Sequence, residues 1–178
     1  MMRRTLLAAA LAALLCLAPA GCRSRRKVKV QQTEEEAPSL ASMVHVADPK
    51  VSAQLVNGFY GVEQNAWRWT AGKFSVLLRP PRGAAQKGAT LQLKFAVPDP
   101  IIAKLKAISL AASIGGKPLS PETYTQPGEF TYSRDVAADL LTGEAVKVDF
   151  ALDKTLPPAN GDQRELGVVV SVVGFEAR

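Results

Sequence analysis

Apolar and polar side chains alternate with a period of two along most of the chain after residue 50. In Leu91–Val97 and Val146–Leu152 every second side chain is a large apolar one, and Phe74–Leu78 follows the same pattern except at Leu77. Such alternation predicts β-strands that bury one face and expose the other. The run Leu166–Val173 is apolar on both faces, which predicts a central strand.

Weaker patterns and turn residues extend this picture. Further strands are predicted at 53–60, 67–70, 107–114 and 129–136. Glycine and proline clusters at 80–83, 115–118 and 157–161 are typical of turns between strands. Single helical turns are predicted at 101–106 and 136–141. About seven to nine short strands with almost no helix predict an all-β protein, a single jelly-roll-like β-sandwich.

The positive charge of the chain is concentrated near its start. The 178 residues carry 22 Lys and Arg against 16 Asp and Glu, a net charge of +6. From Val44 onward, 135 residues carry 15 Lys and Arg against 13 Asp and Glu, a net charge of only +2. A domain so close to neutrality lacks the basic face that phosphate backbones require, so we expect no nucleic-acid partner.

The inventory of reactive side chains is small. The chain has one histidine, and both of its cysteines lie within the first 22 residues. This excludes a Cys/His zinc site, a disulfide within the domain and a Cys–His nucleophile pair. The carboxylates are scattered, without a pair that indicates a glycosidase. We therefore expect no metal, no cofactor and no enzymatic activity.

The first 21 residues have the pattern of an export signal. A basic start with Arg3 and Arg4 precedes the apolar run 5–17, which is too short to span a bilayer. Ala18-Pro19-Ala20 satisfies the rule of the ordinary signal peptidase. The two arginines also allow a twin-arginine export signal, although such pairs are common in ordinary signals.

A second interpretation of the leader rests on Cys22. Ala20-Gly21-Cys22 resembles the bacterial lipobox, and it departs from that pattern at Pro19, where leucine is usual. The resemblance implies acylation of Cys22 and anchorage to membrane lipid, and two or three acyl chains hold a protein stably. We favour this interpretation because Cys22 would otherwise be an unpaired thiol in an exported protein. The alternative is that Cys22 is an ordinary small residue of a leader that is cleaved off and discarded.

Residues 22–43 have the composition of a disordered tether before a domain at 44–178. The segment has no aromatic residue; its first half is basic, and its second half contains Glu34-Glu35-Glu36. The basic half could rest on anionic headgroups, while a plain solubilising spacer is equally compatible. In the lipoproteins of enteric bacteria, an aspartate directly after the acylated cysteine retains the protein in the inner membrane, whereas Arg23 follows Cys22 here. By that resemblance we favour the outer membrane, with the domain facing the periplasm or the cell exterior.

Two tryptophans supply the main candidate for a binding site. Trp67 and Trp69 point to the same side of an extended strand, and solvent-facing indoles stack on sugar rings. The polar side chains nearby in sequence are those of Tyr60, Glu63, Asn65 and Arg68. The alternative is that the indoles stabilise the core, and burial of at least one is expected.

Arg164 lies in a long loop that enters the last strand. We expect its guanidinium to pair bidentately with Glu63 and to close one end of the sandwich, a structural role. A role for Arg164 in ligand recognition is the secondary interpretation.

Three stretches of sequence resemble a known group of domains. They are 58–63 with 67–70, 127–132 and 161–167. Together they resemble β-sandwich domains found in bacterial surface-polysaccharide proteins, often beside glycosyltransferases, over about residues 55–176. The resemblance implies a carbohydrate-binding-like fold, and, unlike in that group, we expect no catalytic domain beside it.

These observations lead to two functional hypotheses. The first is a non-catalytic, lipid-anchored envelope protein that binds glycan through Tyr60, Glu63, Trp67, Trp69 and Arg164. The second is a structural or assembly lipoprotein that binds another envelope protein through a sheet face or an edge strand.

Overall fold

A computed structural model describes residues 39–159 and 161–178. The signal segment, Cys22 and the tether as far as residue 38 lie outside these residues. The strands of the described part are β1 Met43–His45, β2 Leu55–Glu63, β3 Trp67–Leu78, β4 Ala89–Val97, β5 Ile108–Ile114, β6 Lys117–Tyr124, β7 Gly128–Val136, β8 Val146–Leu152 and β9 Val169–Ala177. Its helices are α1 Ala84–Lys87 and α2 Asp99–Leu105, with 3-10 turns at Pro49–Gln54 and Ala138–Leu140.

The strands form a β-sandwich whose two layers share the long strand β3. Near its end, β3 pairs antiparallel with β8, with Phe74 opposite Phe150. Near its start, β3 pairs with β9, with Trp69 opposite Val169. The first layer therefore has the order β6-β5-β8-β3, and the second has the order β3-β9-β4-β7. Strand β2 forms an antiparallel hairpin with β3, and β1 pairs with β9.

One hydrophobic core fills the space between the layers. Phe74 and Phe150 stack with 4.9 Å between ring centroids in the first layer. Phe95 of β4 meets Tyr124 of β6 edge to face at 5.1 Å, which joins the two layers. The alternating residues predicted to point inward are buried, except Leu152, which is half-buried at the end of β8. The buried ones are Phe74, Val76, Leu78, Leu91, Leu93, Phe95, Val97, Val146, Val148 and Phe150. The predicted all-β sandwich is confirmed.

Strand β6 and the length of β3 differ from the prediction. Strand β6 was missed because Lys117–Tyr124 contains two prolines and lacks clear alternation. An edge strand tolerates these prolines because one side of its backbone needs no partner. The predicted strands at 67–70 and 74–78 are parts of the single strand β3. The helical turn predicted at 101–106 is found as α2. No helix of the described residues is long and apolar enough to cross a membrane.

The residues just before Val44 are already hydrogen bonded into the sandwich. The Ala41 amide donates to Gln54 Oε1 at 2.9 Å, and the buried Gln54 amide group donates back to the Ala41 carbonyl at 3.0 Å. Met43 lies opposite Gly174 of β9, and a Cβ at Gly174 would approach the Met43 Cα to 2.6 Å. Glycine at this position therefore permits β1 to lie close against β9.

Side-chain hydrogen bonds between β6 and β7 close one side of the sandwich. The Tyr132 hydroxyl and Arg134 Nε both donate to the Ser120 carbonyl, at 2.8 and 2.6 Å. Arg134 also pairs with Glu122 at 2.9 Å. The buried Tyr124 hydroxyl has no hydrogen-bond partner among the residues that the structure describes, and its burial raises the pKa of the phenol.

Candidate functional site

The outer surface of the second layer carries both tryptophans. Opposed residues of neighbouring strands share a face, and the register sets Trp69 beside Val169, Val169 beside Ala96, and Ala96 beside Glu129. Trp67 precedes Trp69 by two residues and therefore points the same way, as the sequence predicted. We call this surface the aromatic face.

The two indoles differ in what they offer a ligand. Both are half-buried, so full burial of one of them is not found, but Trp69 packs against the hydrophobic core as the alternative interpretation expected. Neither is fully buried because alternation along β3 places them on the opposite side of the strand from the inward residues Phe74 and Val76. Their rings meet edge to face, with centroids 6.4 Å apart and planes at 83°. They therefore do not form the flat double platform that the sequence suggested, and only Trp67 lines the neighbouring cleft.

A cleft of about 410 Å³ lies beside Trp67 on the aromatic face. Its polar side chains are Lys94 of β4, Glu129 and Thr131 of β7, and Ser171 of β9. In the part of the chain that the structure describes, the side chains of Lys94, Glu129 and Thr131 make neither ion pairs nor hydrogen bonds. An aromatic side chain surrounded by uncommitted donors and acceptors suits a polar, ring-shaped ligand.

Tyr60, Glu63 and Arg164 form a separate cluster. Arg164 Nη1 lies 2.8 Å from Glu63 Oε1, which confirms the predicted pair. The bidentate part of the prediction is wrong, because the fork of the guanidinium binds Asp162 instead, with Nε 3.0 Å from Oδ1 and Nη2 2.8 Å from Oδ2. Asp162 is two residues away in the same loop, so its carboxylate reaches the fork first.

Tyr60 completes the cluster and connects it to the loop that precedes β9. Its hydroxyl donates to the Glu165 carbonyl at 2.8 Å, and its ring lies 5.3 Å from the Arg164 guanidinium carbon. Hydrogen bonds from Arg164 lower the pKa of the Asp162 carboxyl to about 2. Because these groups are committed to one another, the cluster fastens the loop to the β2–β3 hairpin.

Arg68 and Asn65, the other polar neighbours named by the sequence, also serve the backbone. Arg68 donates from Nε to the Val46 carbonyl at 2.7 Å and from Nη1 to the Tyr60 carbonyl at 2.8 Å. Asn65 lies in the turn between β2 and β3 with a positive φ of 55°. Neither side chain lines the cleft beside Trp67.

The sequence interpretation missed Lys94, Glu129, Thr131 and Ser171. A signal for Lys94 was present, because it occupies an outward position of the best-patterned strand. What the sequence could not show is that β9 and β4 bring Trp67 and Thr131 to one surface. That juxtaposition depends on pairing between strands far apart in the chain.

The outer surface of the first layer holds a second concavity, of about 490 Å³. It is lined mainly by small and apolar side chains, among them Ala111, Ala151 and Val56. No cluster of three or more His, Cys, Asp or Glu that could hold a metal ion occurs within residues 39–159 and 161–178.

Comparison with known proteins gives similarity to solved structures alone. No family model and no curated protein matches the chain. An acetyl xylan esterase from the rumen bacterium Butyrivibrio proteoclasticus is 12% identical with a TM-score of 0.46, covering 76% of this chain. The chain spans only 33% of the length of that esterase.

Two of the other similar structures are carbohydrate-binding module domains. The CBM36-1 domain of a multidomain xylanase from the hindgut metagenome of Trinervitermes trinervoides is 14% identical, with a TM-score of 0.39 over 74% of this chain and 94% of its own. A CBM4 structure is 13% identical, with a TM-score of 0.35 over 81% and 90%. The fold assignment of this chain rests on its own strand pairing.

Proposed function

We propose that this domain is a non-catalytic glycan-binding module of the bacterial cell envelope, held at a membrane by lipid on Cys22. The observation that carries the glycan proposal is the cleft beside Trp67. One face of a sugar ring is apolar and would stack on the indole, while its hydroxyl groups would meet Lys94, Glu129 and Thr131.

The charges around the cleft support a ligand with both donors and acceptors. Lys94 offers three N–H donors, and Glu129 offers two acceptor oxygens. The hydroxyl of Thr131 can both donate and accept a hydrogen bond. A sugar ring presents hydroxyl groups of the same mixed kind. The cleft is open to solvent in the part of the chain that the structure describes, so it also fits a chain of sugars.

The non-catalytic part of the proposal rests on the carboxylates of the cleft. Glycoside hydrolysis usually needs two carboxyl groups on opposite sides of the scissile bond. Of the described residues that line the cleft, Glu129 is the one carboxylate. The carboxylates of Glu63 and Asp162 lie outside the cleft, where both form ion pairs with Arg164.

Binding to an array of bacterial and plant glycans tests the proposal. The wild-type chain should bind at least one class of glycan, and Trp67→Ala should lose more than about 1 kcal/mol of that affinity, because truncating an aromatic anchor of a binding site costs at least that much. Trp69→Phe is the matched control, because it keeps an aromatic side chain at the edge contact and leaves Trp67 in place. It should retain binding.

The array also separates glycan from protein recognition. If wild-type protein of intact fold binds no glycan above background, the glycan proposal fails. The uncommitted groups of the cleft would then be assigned to contact with another envelope protein, the second hypothesis from the sequence.

The lipid anchor needs its own experiment. Cys22→Ser should move the protein from the membrane fraction to the soluble fraction, because the thioether that carries the acyl chains can no longer form. Mass spectrometry of the wild-type N-terminus should show a diacylated or triacylated cysteine. A membrane-bound Cys22→Ser protein, or a wild-type N-terminus beyond residue 22 without an adduct, would contradict the anchor.

A further inference from the structure

The concavity on the first layer is produced by small side chains in the middle of a sheet. The pairing sets Ala111 beside Ala151 and Ala151 beside Lys73 in one row across three strands. The next row sets Ser113 beside Asp149 and Asp149 beside Ser75. Larger side chains stand at the rim, so the surface is hollow at its centre. We call it the alanine face.

The walls of this concavity are apolar without offering a ring for stacking. Phe74 and Phe150 lie beneath the floor and are only 1% and 2% exposed. Val56, at the rim, is 51% exposed, the highest value for a large hydrophobic residue of the described chain. A sugar ring would find no exposed aromatic partner here, whereas an aliphatic chain would bury against alanine, valine and proline.

The charge at the mouth is positive. The Lys147 ammonium lies 2.6 Å from the Asp149 carboxylate, so these two charges compensate each other. Lys73 is exposed and makes no ion pair or side-chain hydrogen bond with any residue within 39–159 and 161–178. One ammonium is therefore available at the end of the Ala111–Ala151 row.

We infer that the alanine face binds a single-chain amphipathic anion, such as an aliphatic carboxylate. The hydrocarbon chain occupies the hollow over Ala111 and Ala151, and the carboxylate pairs with Lys73. A volume of about 490 Å³ is within the usual range for small-molecule sites. This site lies on the opposite layer from the Trp67 cleft and is independent of the proposed glycan function.

Titration calorimetry with octanoate, decanoate and dodecanoate below their micelle concentrations tests the inference. The protein is the full chain with Cys22→Ser, recovered after export without detergent. Affinity should rise by up to about fourfold for each added methylene that the hollow buries. Decanoate affinity should fall at high salt, and that of decanol should not.

Variants assign the binding to the two parts of the site. Ala151→Phe fills the hollow and should abolish decanoate binding, while Ala96→Phe places the same ring on the aromatic face and should leave it unchanged. Lys73→Met should weaken decanoate about two- to fivefold and remove the salt dependence. Lys87→Met, at an exposed lysine of α1, should change neither. Circular dichroism confirms that each variant is folded.

Three results would overturn the inference. One is the absence of decanoate binding by the folded wild-type chain. Another is decanoate binding that survives Ala151→Phe, since it would then occur elsewhere. The third is binding to phosphatidylglycerol vesicles, lost in Ala151→Phe, without binding of free decanoate, which would assign the hollow to a bilayer surface.

Discussion

The aromatic face and the alanine face cover the same core but differ in the side chains that they present to solvent. The aromatic face sets Trp67 beside uncommitted lysine, glutamate and threonine side chains. The alanine face sets Ala111 and Ala151 at its centre and a single available lysine at its mouth. Both faces belong to antiparallel layers that are joined by β3.

This difference teaches that outward positions, which the fold leaves free, decide what each layer can bind. The inward positions of both layers follow one requirement, burial of apolar surface, and alternate in the same way. The outward positions carry no such requirement. Side-chain size there shapes the surface, and uncommitted polar groups determine the chemistry of the ligand.

The largest expected effect comes from charging the core beneath either face. Val148→Asp beneath the alanine face and Phe95→Asp beneath the aromatic face should both unfold the domain. A buried unpaired carboxylate costs several kcal/mol against a total stability of about 5–15 kcal/mol. Circular dichroism and thermal melting measure this loss.

The control for these variants is a carboxylate on an outward position. Ser133→Asp lies on exposed β7 and should leave the melting temperature nearly unchanged. If only one of the two core variants unfolds, the two faces do not share a single cooperative core. That result would contradict the statement that both faces cover the same core.

The junction between β6 and β7 gives the next effect. Tyr132→Phe removes the hydroxyl that donates to the Ser120 carbonyl and should cost about 1 kcal/mol. Tyr124→Phe removes a buried hydroxyl that no other described residue binds, and it should be neutral or stabilising by up to about 1 kcal/mol. Urea unfolding measures the free energy of unfolding of both variants. Equal losses would contradict the assignment of a stabilising hydrogen bond to the Tyr132 hydroxyl and of none to the Tyr124 hydroxyl.

The smallest effect concerns the Arg164 cluster at the end of β2. Because the pKa of the Asp162 carboxyl is lowered to about 2, its interaction with Arg164 stabilises the fold above the ordinary pKa of a carboxyl group. That stabilisation is lost as the pH falls towards 2. The melting temperature of the wild type should exceed that of Asp162→Asn at pH 6, and the gap should shrink between pH 4 and pH 2. A gap independent of pH would show that the charge of Asp162 is not what fastens the loop.

The sequence was sufficient to predict the sandwich and the Arg164–Glu63 ion pair. It was not sufficient to predict the cleft of the aromatic face or the hollow of the alanine face. The alternation in Leu91–Val97 predicts a buried side because a strand has a fixed period of two. The Arg164–Glu63 pair followed from charge complementarity between two turns. The cleft beside Trp67 depends on the register of β3, β9, β4 and β7, and the hollow over Ala151 depends on small residues meeting across three strands. Neither arrangement leaves a local pattern.

The most direct test of the account is the response of the two indole N–H groups to glycan in an NMR titration. Xylohexaose, cellohexaose and hyaluronan oligosaccharides serve as neutral and acidic probes, with Ala151→Phe as a variant altered on the opposite face. We predict that at least one probe shifts the indole signal of Trp67 more than that of Trp69, and that Ala151→Phe responds like the wild type. Saturating binding that leaves the Trp67 signal unmoved would contradict it.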